Sequence, residues 1–295
     1  MGSTSSGFVW YVTPNGGCIE WSFDIKASRY FFYMNRILGV YIHNLLAPRW
    51  AIPRHYPEAT HHLFTDHEKR FAKAMENIET QDPDIVFLQE VEESGMDRVE
   101  ERFRDTYRVT RSYHHPDLWR DWKNLETPES SDSPHGLLTL TRNSLPLLDS
   151  RSIPLSPDGN CASILTLGDT SNKIYCVNTH LDTLNSNLRQ HQMSSMEKHI
   201  VKLDSSDPIV WGGDFNMDLT RETKPEGFNI MSVSGDTAYD LLNSRRVDFI
   251  MSRSGRVLSS SEPPITTSLV DCLQWYGSDH VPVYGEFRPE HSIPF

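Results

Sequence analysis

Cysteine is scarce: four residues in 295, at Cys18, Cys161, Cys176 and Cys272. They form no CxxC pair and show no zinc-ligand spacing, so a reducing compartment is expected, cytoplasmic or nuclear. Cys176 lies within the apolar run IYCVNTH, where a thiol packs as a small hydrophobe. Long hydrophobic runs are also missing. No stretch approaches 18 apolar residues, so no transmembrane helix is expected. The N-terminus has no basic segment followed by an apolar one, so a secretory signal is not expected either. Basic charge is the third shortage: 28 Lys and Arg against 40 Asp and Glu leave a net charge of −12 and a pI near 5.5. A chain that held nucleic acid mainly by neutralising phosphates would be basic, so non-specific coating of DNA or RNA is disfavoured. An enzyme that grips a phosphate through a metal ion is still allowed.

What is present is apolar material: 37% of the residues are hydrophobic and 11% aromatic. That supplies a large core and rules out a disordered chain or a disulfide-stapled miniprotein. No repeat and no long Gly/Ser or Pro linker divides the chain. Residues 1–34 form an extension with a hairpin, FVWYV and CIEWSF around the turn TPNGG. Residues 35–295 are expected to form one globular domain. Met1-Gly2 followed by Ser6 fits the loose myristoylation pattern, and membrane association is expected only if Gly2 is acylated.

Apolar runs predict strands at Ile37–Ile42, Ile85–Leu88, Leu137–Thr141, Ala162–Leu167, Ile174–Val177, Ile209–Trp211, Val247–Met251 and Val281–Phe287. Helical spacing predicts helices at Asp66–Gln81, Met96–Phe103 and Leu188–Leu203. Residues 114–135 read as a long surface loop with two tryptophans. The mixture is an α/β sandwich of packed sheets.

Six strand runs end in polar groups: YIHNLLA with Asn44, IVFLQEVEE with Glu90, IYCVNTHLD with Asn178 and His180, IVWGGDFNMD with Asp214 and Asn216, RVDFIMS with Asp248, and GSDHVPVYGEF with Asp279 and His280. Any one cluster is most simply turn chemistry. Six together point to one rim where strand ends converge. The residue types suit hydrolysis of a phosphate ester. Glu90 is a hard oxygen ligand of the kind Mg²⁺ takes, and the cysteine ligands of softer metals are missing. Asp214 could accept the proton of an attacking water, with Asn216 holding that water or the phosphate. His280 could contact a phosphate oxygen, its tautomer fixed by Asp248, and His180 supplies a second such contact. A serine-hydrolase reading fails: there is no GxSxG, and Ser278, Asp279 and His280 are adjacent residues that cannot form a triad together.

This ordered set resembles the endonuclease/exonuclease/phosphatase superfamily over about residues 37–288. The resemblance implies a four-layer α/β/β/α sandwich of two mixed sheets, dependence on Mg²⁺ or Mn²⁺, and attack by an activated water. It further implies Glu90, Asn44 and Asp279 at the metal; position 46, a second acidic ligand in the repair endonucleases, is Leu46. The stretch HNLLAPRW…YP followed by PDIVFLQEVEE is most similar to the nocturnin- and angel-type exoribonucleases. Where that branch places a proline and an aromatic, this chain reads DTLNSN and LLNSRR. Arg189 and Gln192 are similar to the ERxxQ-like pattern of tyrosyl-DNA phosphodiesterases. The expected activity is therefore a metal-dependent phosphodiesterase, a monomer acting on single-stranded RNA from its 3′ end or on DNA. The alternatives are 5′-tyrosyl DNA, sphingomyelin or an inositol phosphate. Trp119, Trp122 and Trp275 are candidate stacking platforms for bases.

Overall fold

Strands that are apolar on both faces need cover on both sides, and the chain supplies it with helices outside and a second sheet inside. A computed structural model describes residues 6–12, 18–24, 36–115, 133–156, 159–203, 205–222, 224–231, 235–239, 243–261 and 268–289. Gly2, the turn at 13–17, Trp119 and Trp122 lie outside the described residues. The chain runs through β1 (Ser6–Val12) and β2 (Cys18–Asp24), which pair antiparallel as the hairpin pattern predicts. Next come β3 (Leu38–Asn44), a short α1 (His61–Phe64), α2 (His67–Gln81), β4 (Ile85–Glu92), α3 (Glu93–Phe103) and β5 (Tyr107–Tyr113). They are followed by β6 (His135–Arg142), β7 (Leu147–Pro154), β8 (Cys161–Gly168), β9 (Lys173–His180), α4 (Ser186–Ile200) and β10 (Ile209–Asp214). The last part holds β11 (Asn229–Ile230), β12 (Ala238–Tyr239), β13 (Ser244–Arg245), β14 (Asp248–Arg253), β15 (Gly255–Ser261), α5 (Leu269–Tyr276) and β16 (Val283–Pro289).

The strands build two six-stranded mixed sheets, ordered β15-β16-β3-β4-β6-β5 and β11-β14-β10-β9-β8-β7. Alternation along each strand sends residues to different layers. In β3 and β4, Val40, Ile42, Ile85 and Phe87 face the other sheet. Tyr41, Val86 and Leu88 face α2 and α3, against Met75, Ile78, Met96 and Val99. In β10 and β14, Val210 and Ile250 join the intersheet core. Trp211, Phe249 and Met251 face outward with Met193, Met196 and Ile200 of α4. The result is four layers, helix–sheet–sheet–helix, as the resemblance implies. Each buried Leu, Ile or Phe in these layers contributes roughly 1.5–3 kcal/mol of apolar burial.

The sheets approach closely at Gly212, where an added Cβ would meet Ile42 Cγ2 and Phe87 Cδ2, each at 2.9 Å. Polar bridges cross the same interface. Buried Asn178 donates to Leu88 O at 3.3 Å and Leu138 O at 3.1 Å, and accepts from Gln89 Nε2 at 2.8 Å. It ties the strand bearing His180 to the strand bearing Glu90. Among the described residues no helix is long and apolar enough to cross a membrane.

Candidate active site

Register brings the polar residues together. β9 and β10 run parallel with His180 opposite Asp214, and β10 runs antiparallel to β14 with Asp214 opposite Asp248. In the second sheet β3 runs parallel to β4 with Asn44 opposite Gln89, one residue before Glu90. The carboxyl ends of parallel strands and the start of an antiparallel one thus meet at one rim. A cavity of about 630 Å³ opens there, lined by Glu90, His180, Asp214, Asn216, Asp279 and His280 among others.

Glu90 sits at a bulge, where the pairing of β4 with β6 shifts between Leu88 and Val91, and its φ is 55°. This left-handed backbone costs a non-glycine residue about 1–3 kcal/mol and tends to persist where function requires it. Its Oε1 accepts from Asn44 Nδ2 at 2.9 Å and its Oε2 from Ala47 N at 3.1 Å. The same Asn44 Nδ2 donates to Asp214 Oδ2 at 3.1 Å, so one carboxamide joins the two carboxylates. Asn44 Oδ1 in turn accepts from the amide of Leu46, itself at φ 52°.

Asp214 lies between two imidazoles. Its Oδ2 is 3.6 Å from His180 Nε2 and 3.9 Å from His280 Nε2, and its Oδ1 accepts from Asn216 N at 2.8 Å. His280 Nδ1 pairs with Asp248 Oδ2 at 2.9 Å. Burial pulls the His280 pKa down, but the Asp248 charge and hydrogen bond outweigh it and hold that pKa well above the usual histidine range. Burial pushes the Asp248 carboxyl up, and the nearby Asp214 charge adds to it. Burial likewise raises Glu90, with Asp279 adding to the rise and His180 opposing it.

Asp279 Oδ2 accepts from Tyr56 OH at 2.9 Å. Asn216 Nδ2 donates to Leu181 O at 2.9 Å, so its amide nitrogen anchors the loop after His180. Arg189 and Gln192 of α4 serve that loop too: Arg189 Nη1 donates to Asp182 O and Thr183 O, each at 3.1 Å, and Gln192 Oε1 accepts from Asp182 N at 2.8 Å. All eight residues read as site candidates reach this rim.

Trp275 does not line the cavity; it is exposed on α5. Among the described residues the tryptophan that does line it is Trp50, beside Ile52 and the exposed Leu184. Tyr56 stands in the YP of the run already read, without a role assigned to it; sequence reasoning missed Thr237, His114 and His135. Thr237 Oγ1 accepts from the amides of Val247 and Asp248, each at 3.0 Å. His114 and His135 line the wall next to His180, with ring centroids 5.0 Å apart, and His114 lies 6.1 Å from His180. None of these stands in a motif; only the fold brings them to the rim.

Such a sheet pair with carboxylates and imidazoles at one rim is the architecture of a phosphoester hydrolase. The chain belongs to the endonuclease/exonuclease/phosphatase family, whose profile matches residues 60–280. Several solved structures share its fold. ANGEL2, described as a 2′,3′-cyclic phosphatase, superposes with a TM-score of 0.68 at 16% identity over 86% of this chain and 95% of its own. The human Nocturnin catalytic domain superposes at 0.63 and 19% identity over 85% of this chain and 93% of its own. Truncated Caenorhabditis elegans TDP2 superposes at 0.56 and 16% identity, over 85% and 97%. No curated protein sequence matches the chain.

Proposed function

We propose that the chain is a metal-dependent phosphodiesterase that hydrolyses phosphoester bonds at the 3′ end of RNA. The observation that carries this reading is Asp214 Oδ2 held by Asn44 between His180 and His280. The donor set also fits a hard divalent cation, Mg²⁺ or Mn²⁺. Glu90 and Asp279 offer carboxylate oxygens at the cavity, Asn44 turns its Nδ2 rather than its Oδ1 toward Glu90 and Asp214, and Asp214, Asp248 and His280 cluster close together. Buried Asp248 Oδ1 and both ring nitrogens of His180 have no hydrogen-bond partner among the described residues. Burial disfavours the charge on Glu90, and a cation would offset that cost.

Glu90 and Asp279 would hold the cation, with Asn44 orienting the Glu90 carboxylate, and the cation would supply Lewis-acid polarisation of a phosphoryl oxygen. Asp214 Oδ2 takes the proton of the attacking water. Asn44 keeps that oxygen aimed into the cavity. His280, charged and oriented by Asp248, donates to a phosphoryl oxygen, and His180 donates to another as negative charge builds. Asn216 holds the loop that carries Asp182 to Leu184 at the cavity mouth. Trp50 and Leu184 offer an apolar surface for a base next to the scissile phosphate.

Two observations favour a ribonucleotide over a lipid or an inositol phosphate. The cavity suits a nucleotide-sized group, and ANGEL2 in complex with adenosine-2′,3′-vanadate superposes on 97% of this chain with a TM-score of 0.67. The test is a panel of single-stranded RNA with a 3′-hydroxyl or a 2′,3′-cyclic phosphate, single-stranded DNA, 5′-tyrosyl DNA, sphingomyelin and inositol phosphates, with Mg²⁺ or Mn²⁺. The protein should process RNA 3′ ends, and Glu90→Gln should lower kcat by at least ~100-fold, the several kcal/mol that Lewis-acid stabilisation supplies. Equal turnover by wild type and Glu90→Gln would remove the metal assignment, and cleavage of lipid alone would remove the substrate.

A further inference from the structure

Arg70 is a buried cation whose hydrogen bonds all go to neutral acceptors. It sits on α2 and is 4% exposed. Its Nε donates to Phe64 O at 2.8 Å. Nη1 donates to Leu45 O at 3.1 Å and to Gly277 O at 3.0 Å. Nη2 donates to Leu46 O at 3.0 Å and shares a contact with His67 Nδ1 at 3.1 Å. Leu45 and Leu46 directly follow Asn44, and Gly277 directly precedes Ser278, Asp279 and His280. A single guanidinium nitrogen therefore staples the segment carrying one half of the site to the segment carrying the other.

Both stapled segments hold unusual backbone. Leu46 is at φ 52° and Gly277 at φ 73°. An added Cβ at Gly277 would lie 2.2 Å from Arg70 O, so α2 and this turn are in backbone contact. Two lesser links run beside the guanidinium: Ser278 Oγ donates to Asn44 O at 2.6 Å, and His43 Nε2 meets His280 O at 3.1 Å. A lysine could meet only some of the four carbonyls, because its ammonium lacks the planar fork.

We infer that Arg70 is a positioning residue: it sets the distance between the Asn44–Glu90 pair and the Asp279–His280 pair, and with it the affinity of the site for a divalent cation. This rests on the metal-dependent reading above. It also explains why, among the described residues, this buried charge makes no salt bridge: the carboxylates of Asp279 and Glu90 favour it only from a distance, and the place calls for a rigid five-donor fork between loops.

The test compares wild type with Arg70→Lys by thermal melting, by Mn²⁺ titration followed by electron paramagnetic resonance, and by kcat and KM on the best substrate of the panel. In the folded variant, Mn²⁺ affinity should fall about 10–100-fold, the usual effect of removing an outer support of a metal site, and kcat should fall with it. KM should stay within about threefold. A folded Arg70→Lys that keeps Mn²⁺ affinity and kcat within twofold, even with a lower melting temperature, overturns the inference and leaves Arg70 a purely structural residue. If Arg70→Lys does not fold, Arg70→Gln, whose amide can still bridge two carbonyls, takes its place under the same criteria. Failure of the metal-dependent reading has a different signature: wild type itself would neither bind Mn²⁺ nor hydrolyse any member of the panel.

Discussion

His280 and Asp248 show how a residue's chemistry depends on a neighbour 32 positions away in the chain. The imidazole is buried, which would neutralise it, yet the contact of Nδ1 with Asp248 Oδ2 at 2.9 Å keeps it charged. Asp248 is itself held by Thr237, whose hydroxyl accepts from its amide. Asp248→Asn leaves a side chain of the same shape but removes the charge and reverses the hydrogen-bond sense available to Nδ1. We expect kcat to fall by at least ~100-fold with KM and melting temperature little changed, as when a histidine loses its orienting carboxylate in other hydrolytic sites. A fall in KM alone, or no change in kcat, would show that His280 acts without Asp248. The Asp248–His280 partnership was readable from residue type and strand-end position. Thr237 was not, since a threonine in a polar stretch carries no mark until the isolated bridge between Ala238 and His280 brings its segment alongside.

At the scale of elements, legibility followed burial. β3, β4, β8, β9, β10 and β14 are near-continuously buried and so read as apolar runs. The long helices α2 and α4 carried capping residues as well: Asp66 accepts from Lys69 N at 3.0 Å, and Asn185 accepts from Asn187 N and Leu188 N. β5 and β7 went unread because they are sheet-edge strands with mostly exposed or half-exposed residues, as in the pattern of LLDSRSIP. The end of β5 and the start of β6 nevertheless carry a consequence for stability. His114 and His135 are buried there, and Cys161 N donates to His114 Nδ1 at 3.0 Å. Burial pulls the His114 pKa down to about 3, and His135 is lowered as well. Between that value and the unfolded value near 6.5, the unfolded chain binds protons that the folded chain refuses, so stability falls with falling pH. Each such histidine contributes up to about 1.4 kcal/mol per pH unit in that window and nothing above pH ~7. Denaturant titrations at pH 7 and pH 5 should show this loss, and His114→Asn, which keeps an acceptor for Cys161 N, should flatten it. An unchanged pH slope in His114→Asn would mean that the imidazole titrates freely in the folded state.

For the molecule as a whole, charge and fold act in different places. Cations that might have formed a phosphate-binding face are committed to the protein itself: Arg98 to Glu68, Arg102 to Glu79, and Arg111 to Asp97 and Glu100, all on the helical side of one sheet. Exposed pairs like these contribute little stability, about 0–1 kcal/mol each, but they remove free positive charge from that surface. Among the described residues the two buried arginines, Arg49 and Arg70, serve Glu92 and four backbone carbonyls. On the proposed reading, substrate binding comes from the cavity, and the net charge of −12 repels a long polyanion outside it. For a basic single-strand-binding surface, log affinity falls with log salt at a slope of about −0.7 per neutralised phosphate. Here the slope for single-stranded RNA should lie between zero and about −1, because at most one or two phosphates are gripped while added salt screens the repulsion of the rest. The measurement is KM for a short RNA from roughly 50 to 200 mM monovalent salt at saturating divalent cation. A slope steeper than about −2 would mean that several phosphates are neutralised, and the substrate would then have to reach well beyond the cavity.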